Sequence, residues 1–347
     1  MKLQNIDIEE RIVHYNIPGL SFTLIENFQI SKAECYGLLE DGTTRKVDSS
    51  SIFNACSVSK FLTSMLVIKL SEQGILNIDE DVNKVLLTWK VPDTGFTKNT
   101  KVTLRNLLSH QSGIVDPDGS FNVFNIIDGT PSIVEILEGR TPYNNIPIEV
   151  RYEPESDFQY SDAGFCVIQQ VLEDVTKKSF KELVNDFIFE PLKMKNSSLE
   201  YTLSETIRAD FSCGHNKNGE RVNGKYPIYP YPAASGLWTT PSDLAILVID
   251  LMNSLKGKSE IGISKKQAKT MFTSQGCMKW TGLGIFLDRV DKEIEISSLG
   301  WGVGFQCMMV AYPYLGAGLV IMINSDLGVH QLKGIIGEVY HSLSLSK

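Results

Sequence analysis

The sequence lacks the patterns that announce a metal, a nucleotide or a nucleic-acid partner. Its six cysteines, Cys35, Cys56, Cys166, Cys213, Cys277 and Cys307, are scattered with no Cys-x-x-Cys spacing, which excludes a zinc ribbon or a dithiol redox centre. Reduced, mostly buried thiols are expected instead. Five histidines, His14, His110, His215, His330 and His341, form no His-Glu-x-x-His and no close pair, and there is no Gly-x-x-x-x-Gly-Lys-Ser/Thr loop. No metal and no cofactor are therefore expected. Lys and Arg are outnumbered 33 to 41 by Asp and Glu, for a net charge of -8. With no basic stripe, a nucleic-acid partner is excluded, because phosphate binding concentrates cations. No run reaches the ~18 apolar residues of a membrane span. Met1 to Glu10 also lack the apolar core of a secretory signal, so a cytoplasmic protein is expected.

What is present is enough for a large core: 347 residues, 42% of them hydrophobic, suggest roughly two lobes at about 150 residues per domain. An amphipathic segment from Ile6 to Tyr15 precedes two strand-like runs, Ser21 to Glu26 and Gln29 to Tyr36, joined at Asn27-Phe28 as a hairpin. A mainly helical middle follows, with helices predicted over Thr103 to Ser109, Thr130 to Glu138, Asp162 to Lys177, Ser179 to Phe189 and Leu244 to Leu255. The last third returns to strands at Leu283 to Asp288, Glu293 to Ser298, Phe305 to Tyr312 and Gly318 to Asn324, then a helix from Gln331 to Leu343. The expected fold is α+β: an antiparallel sheet built from both termini and flanked by helices, with a mainly helical lobe inserted. Residues 1–56 and 236–347 would form the sheet lobe and residues 57–235 the helical one, with a cleft between them.

The chemistry centres on Ser57-Val58-Ser59-Lys60, just ahead of the apolar segment from Phe61 to Gly74. Side chains three apart share a helix face, and a partly desolvated lysine can take the proton that keeps a serine hydroxyl a poor nucleophile. A second Ser-x-x-Lys, Ser344 to Lys347, ends the chain, where a frayed terminus does not hold a reactive geometry. Ser57 instead opens a buried helix, whose free N–H groups favour developing negative charge. Cys56 adjoins it, but neighbouring helical side chains point apart. Proton transfer to a leaving group needs a further acid, and Tyr160, just before the helix at Asp162, offers one whose pKa a nearby lysine lowers. Tyr143-Asn144-Asn145 competes but lies between Pro142 and Pro147 with no helix after it. Gly300, Gly302 and Gly304 resemble a dinucleotide loop only superficially, since no helix follows them.

Four blocks together carry a resemblance. They are Ser57-x-x-Lys60, Val102 to Gly113, Tyr160-Ser161-Asp162-Ala163-Gly164-Phe165, and Ala234 to Ala245. In this order the chain resembles the serine β-lactamase and penicillin-binding protein superfamily. It is most similar to the class C-like branch with its D-Ala-D-Ala carboxypeptidases, D-aminopeptidases and esterases. The resemblance implies an acyl-enzyme cycle in which Ser57 attacks while Lys60 and Tyr160 exchange protons. It also implies a third motif at Ser298-Leu299-Gly300-Trp301, with the oxyanion between the N–H groups of Ser57 and Trp301. His110 is expected to be a satisfied structural residue.

Two positions depart from the pattern. Asp162 stands where an asparagine is usual; ionised beside Lys60, it would hold the lysine charged and shift the burden of base to Tyr160. Ser298 replaces the cationic or imidazole residue that helps bind a substrate carboxylate. The expected activity is a serine hydrolase of uncharged acyl esters, amides or peptides, with weak or no turnover of β-lactams. A β-lactamase or D-Ala-D-Ala carboxypeptidase is the alternative if both changes are harmless. A catalytically silent relative binding a ligand in the same cleft is a third reading. Tyr226-Pro227-Ile228-Tyr229-Pro230-Tyr231-Pro232 is expected either to wall the acyl pocket or to staple a surface loop.

Overall fold

The computed structural model describes residues 2–125, 129–199, 209–290 and 292–344. Helix α1 (Ile8–His14) is capped by the Asp7 side chain and leads into the hairpin β1 (Gly19–Glu26) and β2 (Gln29–Gly37). The hairpin turns through Asn27 and Phe28, both left-handed at φ 50° and 64°, the geometry that matches the twist of paired strands. After a short bridge comes α2 (Ser59–Glu72), buried on nearly every face and ended by Gly74 at φ 72°. The middle of the chain supplies α3 (Leu104–Leu108), α4 (Ile133–Leu137), α5 (Asp162–Thr176) and α6 (Phe180–Val184). Then follow α7 (Pro241–Ser254), α8 (Lys265–Met271), the strands β3 (Phe286–Val290), β4 (Glu293–Gly302), β5 (Phe305–Tyr312) and β6 (Ala317–Ile323), and α9 (Ile335–His341).

These six strands form one antiparallel sheet in the order β2-β1-β6-β5-β4-β3. The amino-terminal hairpin is completed by the last strands, with Phe22 opposite Ile321. Strands β1, β5 and β6 are buried along almost their whole length, as a sheet covered on both faces requires. On one face Leu20, Phe22, Val310 and Ile321 pack with Ile8, Ile12, Ile335 and Val339 of the terminal helices. The other face shares a continuous core with α2, α5 and α7, through Met309, Val320, Met322, Leu66, Val167 and Leu247. The antiparallel sheet from both termini, flanked by helices, agrees with the α+β expectation.

Several boundaries differ. The strand expected from Leu283 starts at Phe286, because Leu283 and Ile285 are buried in the loop before it. The helix expected from Thr130 begins at Ile133, with Ser132 and Glu135 forming a capping box. The segment from Ser179 to Phe189 is α6 followed by a wide π-type turn, Asn185–Phe189, rather than one helix. The closing helix is broken at Gly334 into a short 3-10 turn, Gln331–Lys333, and α9. The last three residues of the second Ser-x-x-Lys, 345–347, lie outside the described residues.

Candidate active site

Ser57 sits in a 3-10 turn, Cys56–Val58, that feeds directly into α2. Cys56 turns at φ 47°, unusual for a residue with a side chain. The turn is pinned from both sides. The Asn54 side-chain Oδ1 accepts from the Cys56 N–H at 2.7 Å, the Ser59 hydroxyl donates to the Cys56 carbonyl at 2.6 Å, and the Leu237 N–H donates to the Ser59 hydroxyl at 2.9 Å. Lys60, one turn along, is 3% exposed. Its ammonium donates to Ser57 Oγ at 3.2 Å, to Asp162 Oδ1 at 2.5 Å and to the Ala234 carbonyl at 3.0 Å.

Asp162 is the first residue of α5, with Ser161 as its N-cap. A residue that sequence reasoning missed, Asp116, holds this start. Its carboxylate accepts from the Ser161 hydroxyl at 2.7 Å and from the N–H groups of Asp162 and Ala163 at 2.8 and 2.9 Å. Burial first, and then the charge of Asp162, push the Asp116 carboxyl up to about 6. No motif marks Asp116; the only signal is an acid close behind the His110-to-Gly113 block.

Tyr160 reaches both Lys60 and Ser57 through its hydroxyl, and its ring lies 4.8 Å from the lysine nitrogen. His110, left-handed at φ 57° after α3, stacks on that ring at 4.3 Å and accepts the Ser161 N–H on Nδ1 at 3.1 Å. Burial, aided by the charge of Lys60, pushes its imidazole far below the ordinary value, so it is neutral. The expected structural histidine thus also carries one face of the candidate acid. Tyr143 lies elsewhere, its hydroxyl bonded to the backbone of Asn125.

The protonation pattern corrects one expectation. Burial opposes the charge of Lys60, but the carboxylate of Asp162 and then Tyr160 outweigh it and hold the ammonium above its ordinary pKa. Tyr160 is raised rather than lowered: burial dominates, and the lowering by Lys60 is partly offset by Asp162. The resting arrangement is a charged lysine, a neutral phenol and a serine hydroxyl that receives a hydrogen bond from the lysine. Such a site activates Ser57 only once a proton leaves the Lys60–Tyr160 pair.

The stretch expected to carry the third motif, Ser298 to Trp301, runs along β4. Pairing with β3 starts opposite Ser297, so Ser298 to Gly302 form a free sheet edge on that side, next to the Ser57 turn. Ser298 is buried and lines a water-sized recess with Ser57, Lys60, His110 and Tyr160. At Gly300 a Cβ would collide with the Ala55 carbonyl and the Cys307 thiol, so the strand approaches the turn only because no side chain is there. Trp301 faces a cleft of roughly 410 Å³ with Ser57 and Asp162 on its wall. Tyr229 and Tyr231 line this cleft. The Tyr229 hydroxyl accepts the Val303 N–H at 2.9 Å, and that of Tyr231 donates to the Phe121 carbonyl. Tyr226 instead packs near Trp238.

Comparison with known proteins gives the family and the fold. Protein flp of Staphylococcus aureus (strain MW2) is 25% identical over 242 residues, 69% of this chain and 45% of that protein. The teichoic acid D-alanine hydrolase of Staphylococcus aureus (strain MRSA252) is 25% identical over 244 residues, 70% of this chain and 56% of that one. The matched region spans about half the length of these curated relatives. Among solved structures, the octameric penicillin-binding protein homologue from Pyrococcus abyssi superposes with a TM-score of 0.76 at 21% identity, covering 96% of this chain and 75% of that one. The D-amino acid amidase from Ochrobactrum anthropi SV3 gives 0.75 at 21%, covering 95% and 94%. Identities this low speak for a shared fold. The Beta-lactamase family model matches residues 6–334, nearly the whole chain, and the chain belongs to the beta-lactamase family.

Proposed function

We propose that the protein is a serine hydrolase that forms an acyl-enzyme at Ser57 on esters or amides lacking a carboxylate beside the scissile bond, with weak or no β-lactam turnover. The observation that carries this reading is the Lys60 ammonium 3.2 Å from Ser57 Oγ at the wall of an open cleft. Ser57 attacks the carbonyl carbon as its proton passes into the Lys60–Tyr160 pair. The same pair returns a proton to the leaving oxygen or nitrogen, and water then releases the acyl group. The N–H groups of Ser57 and Trp301 are the oxyanion donors in this reading, each worth about 100 to 1000-fold in rate. Among the residues lining the two recesses, Lys60 is the one lysine or arginine, and Asp162 neutralises it. No cation is then left for a carboxylate ligand. The names of the relatives make D-alanyl esters and D-amino acid amides the first acyl donors to try.

A second reading, a silent ligand-binding relative, is favoured by the 2.5 Å Lys60–Asp162 ion pair, which opposes the lysine's loss of its proton. Intact mass after exposure to a fluorophosphonate separates the two. One adduct on the wild type and none on Ser57→Ala supports the hydrolase, and absence of adduct on both overturns it. Substantial penicillin turnover abolished by Ser57→Ala would overturn the substrate class.

A further inference from the structure

The cleft lined by Ser57 and Asp162 holds a second carboxylate, Asp326, just beyond β6. Its Oδ1 accepts the Trp301 indole N–H at 2.7 Å and the Gly328 N–H at 2.9 Å. Both bonds fall on one oxygen; among the described residues none reaches Oδ2. The nearby Lys217 approaches Gly328 with its aliphatic stem and makes no ion pair with Asp326. The indole that positions Asp326 is 43% exposed and forms the adjoining wall, with Tyr229 and Tyr231 on the same cleft. A carboxylate braced against an open tryptophan face, among tyrosines and with no competing cation, is how a protein receives an ammonium group: charge on one side and ring faces on the other.

We infer that Asp326, with the Trp301 ring, selects substrates carrying a positively charged ammonium group on the part of the molecule that enters this end of the cleft. The inference rests on the acyl-enzyme reading of Ser57 and narrows its substrate class. Having lost the means to bind a carboxylate at Ser298, the site is biased toward the opposite charge rather than toward neutrality. Asp162 does not serve this purpose, because Lys60 already occupies it.

The test compares two phosphonothioates of matched shape that differ in charge, one with a thiocholine leaving group and one with its carbon isostere, 3,3-dimethylbutanethiol. Ser57 Oγ attacks phosphorus, the P–S bond breaks, the thiolate leaves and the serine proton goes to solvent through the Lys60–Tyr160 pair. Labelling rates are read by intact mass, and the cationic-to-neutral ratio of each protein is divided by the same ratio for attack by hydroxide, which removes the difference in leaving-group basicity. The wild type should favour the cationic reagent by roughly 10-fold at low salt, less as salt rises, and Asp326→Asn should bring the ratio to about 1. Asparagine keeps an oxygen acceptor for Trp301 and Gly328, so the wall is preserved; Asp326→Glu should keep the ratio above 1. A wild-type ratio near 1, or one unchanged in Asp326→Asn, overturns the inference while leaving the hydrolase reading intact. Failure of both reagents and of a fluorophosphonate to label Ser57 overturns the hydrolase reading, and this one with it.

Discussion

At the scale of single residues the decisive feature is where the protons sit. Lys60 is buried and would be lowered by that alone, yet Asp162 and Tyr160 hold it charged. A base that must first lose this proton works best at alkaline pH. Asp162→Asn removes the opposing carboxylate while burial persists, so the rising limb of the Ser57 labelling rate against pH should move to lower pH. A limb that stays in place would mean that Lys60 does not set the rate. Ser57 and Lys60 were legible in the sequence because their spacing is local, and Tyr160 and Asp162, far along the chain, because they adjoin a helix start and fall in one of the blocks that carry the resemblance. Asp116, the stacking of His110 on Tyr160, and Asp326 were not. They are joined to the site through space, as Asp116 is to Asp162 across 46 positions.

Among the elements, two contacts keep the site in shape. The start of α5 depends on Asp116, which accepts three donors through two oxygens. In Asp116→Asn one of those acceptors becomes a donor, and the lost bonding should cost about 1–3 kcal/mol. The pH dependence has a definite sign. The folded-state pKa of Asp116 is about 6 against an ordinary 3.8, so the folded protein binds the extra proton between these values. Stability from this group is full below 3.8 and lost as pH rises through 6. Asp116→Asn should lack that component, so the stability difference between wild type and variant, from denaturant midpoints at pH 4 to 7, should shift across this window. The second contact is the approach of β4 to the Ser57 turn. Gly300→Ala places a methyl group against the Ala55 carbonyl and the Cys307 thiol. Overpacking of this kind costs about 1–3 kcal/mol. The Ser57 labelling rate should fall at least 10-fold while the protein remains folded by circular dichroism. Unaltered labelling would show that the strand edge does not shape the site.

Over the whole molecule, the two ends of the chain share one sheet, and the loops of the middle are tied to it by charge as well as by the core. Buried Glu40, after β2, bonds Lys225 at 2.8 Å and also pairs with Arg221 and Arg45. Burial alone would raise its carboxyl, but Lys225 and then Arg221 bring it down to about 2. Its contribution is therefore present above pH 4.5 and lost as pH falls through 2. Glu40→Gln should cost roughly 1–2 kcal/mol near pH 7, since the cations are half exposed, and this difference should vanish near pH 2. Thermal unfolding of the pair at both pH values checks it.

The sequence by itself determined the local parts: the hairpin, the helix behind Ser57, the sheet strands, the spacing of serine and lysine, and a tyrosine just ahead of a helix start. Each follows from periodicity, turn residues and neighbours a few positions apart. Only the tertiary structure decided that Lys60 rests as an ammonium, that burial raises Tyr160, that Asp116 holds the start of α5 and that Asp326 lines the cleft. Protonation depends on desolvation and on charges brought together from distant segments, and those are fixed only when the core closes around them.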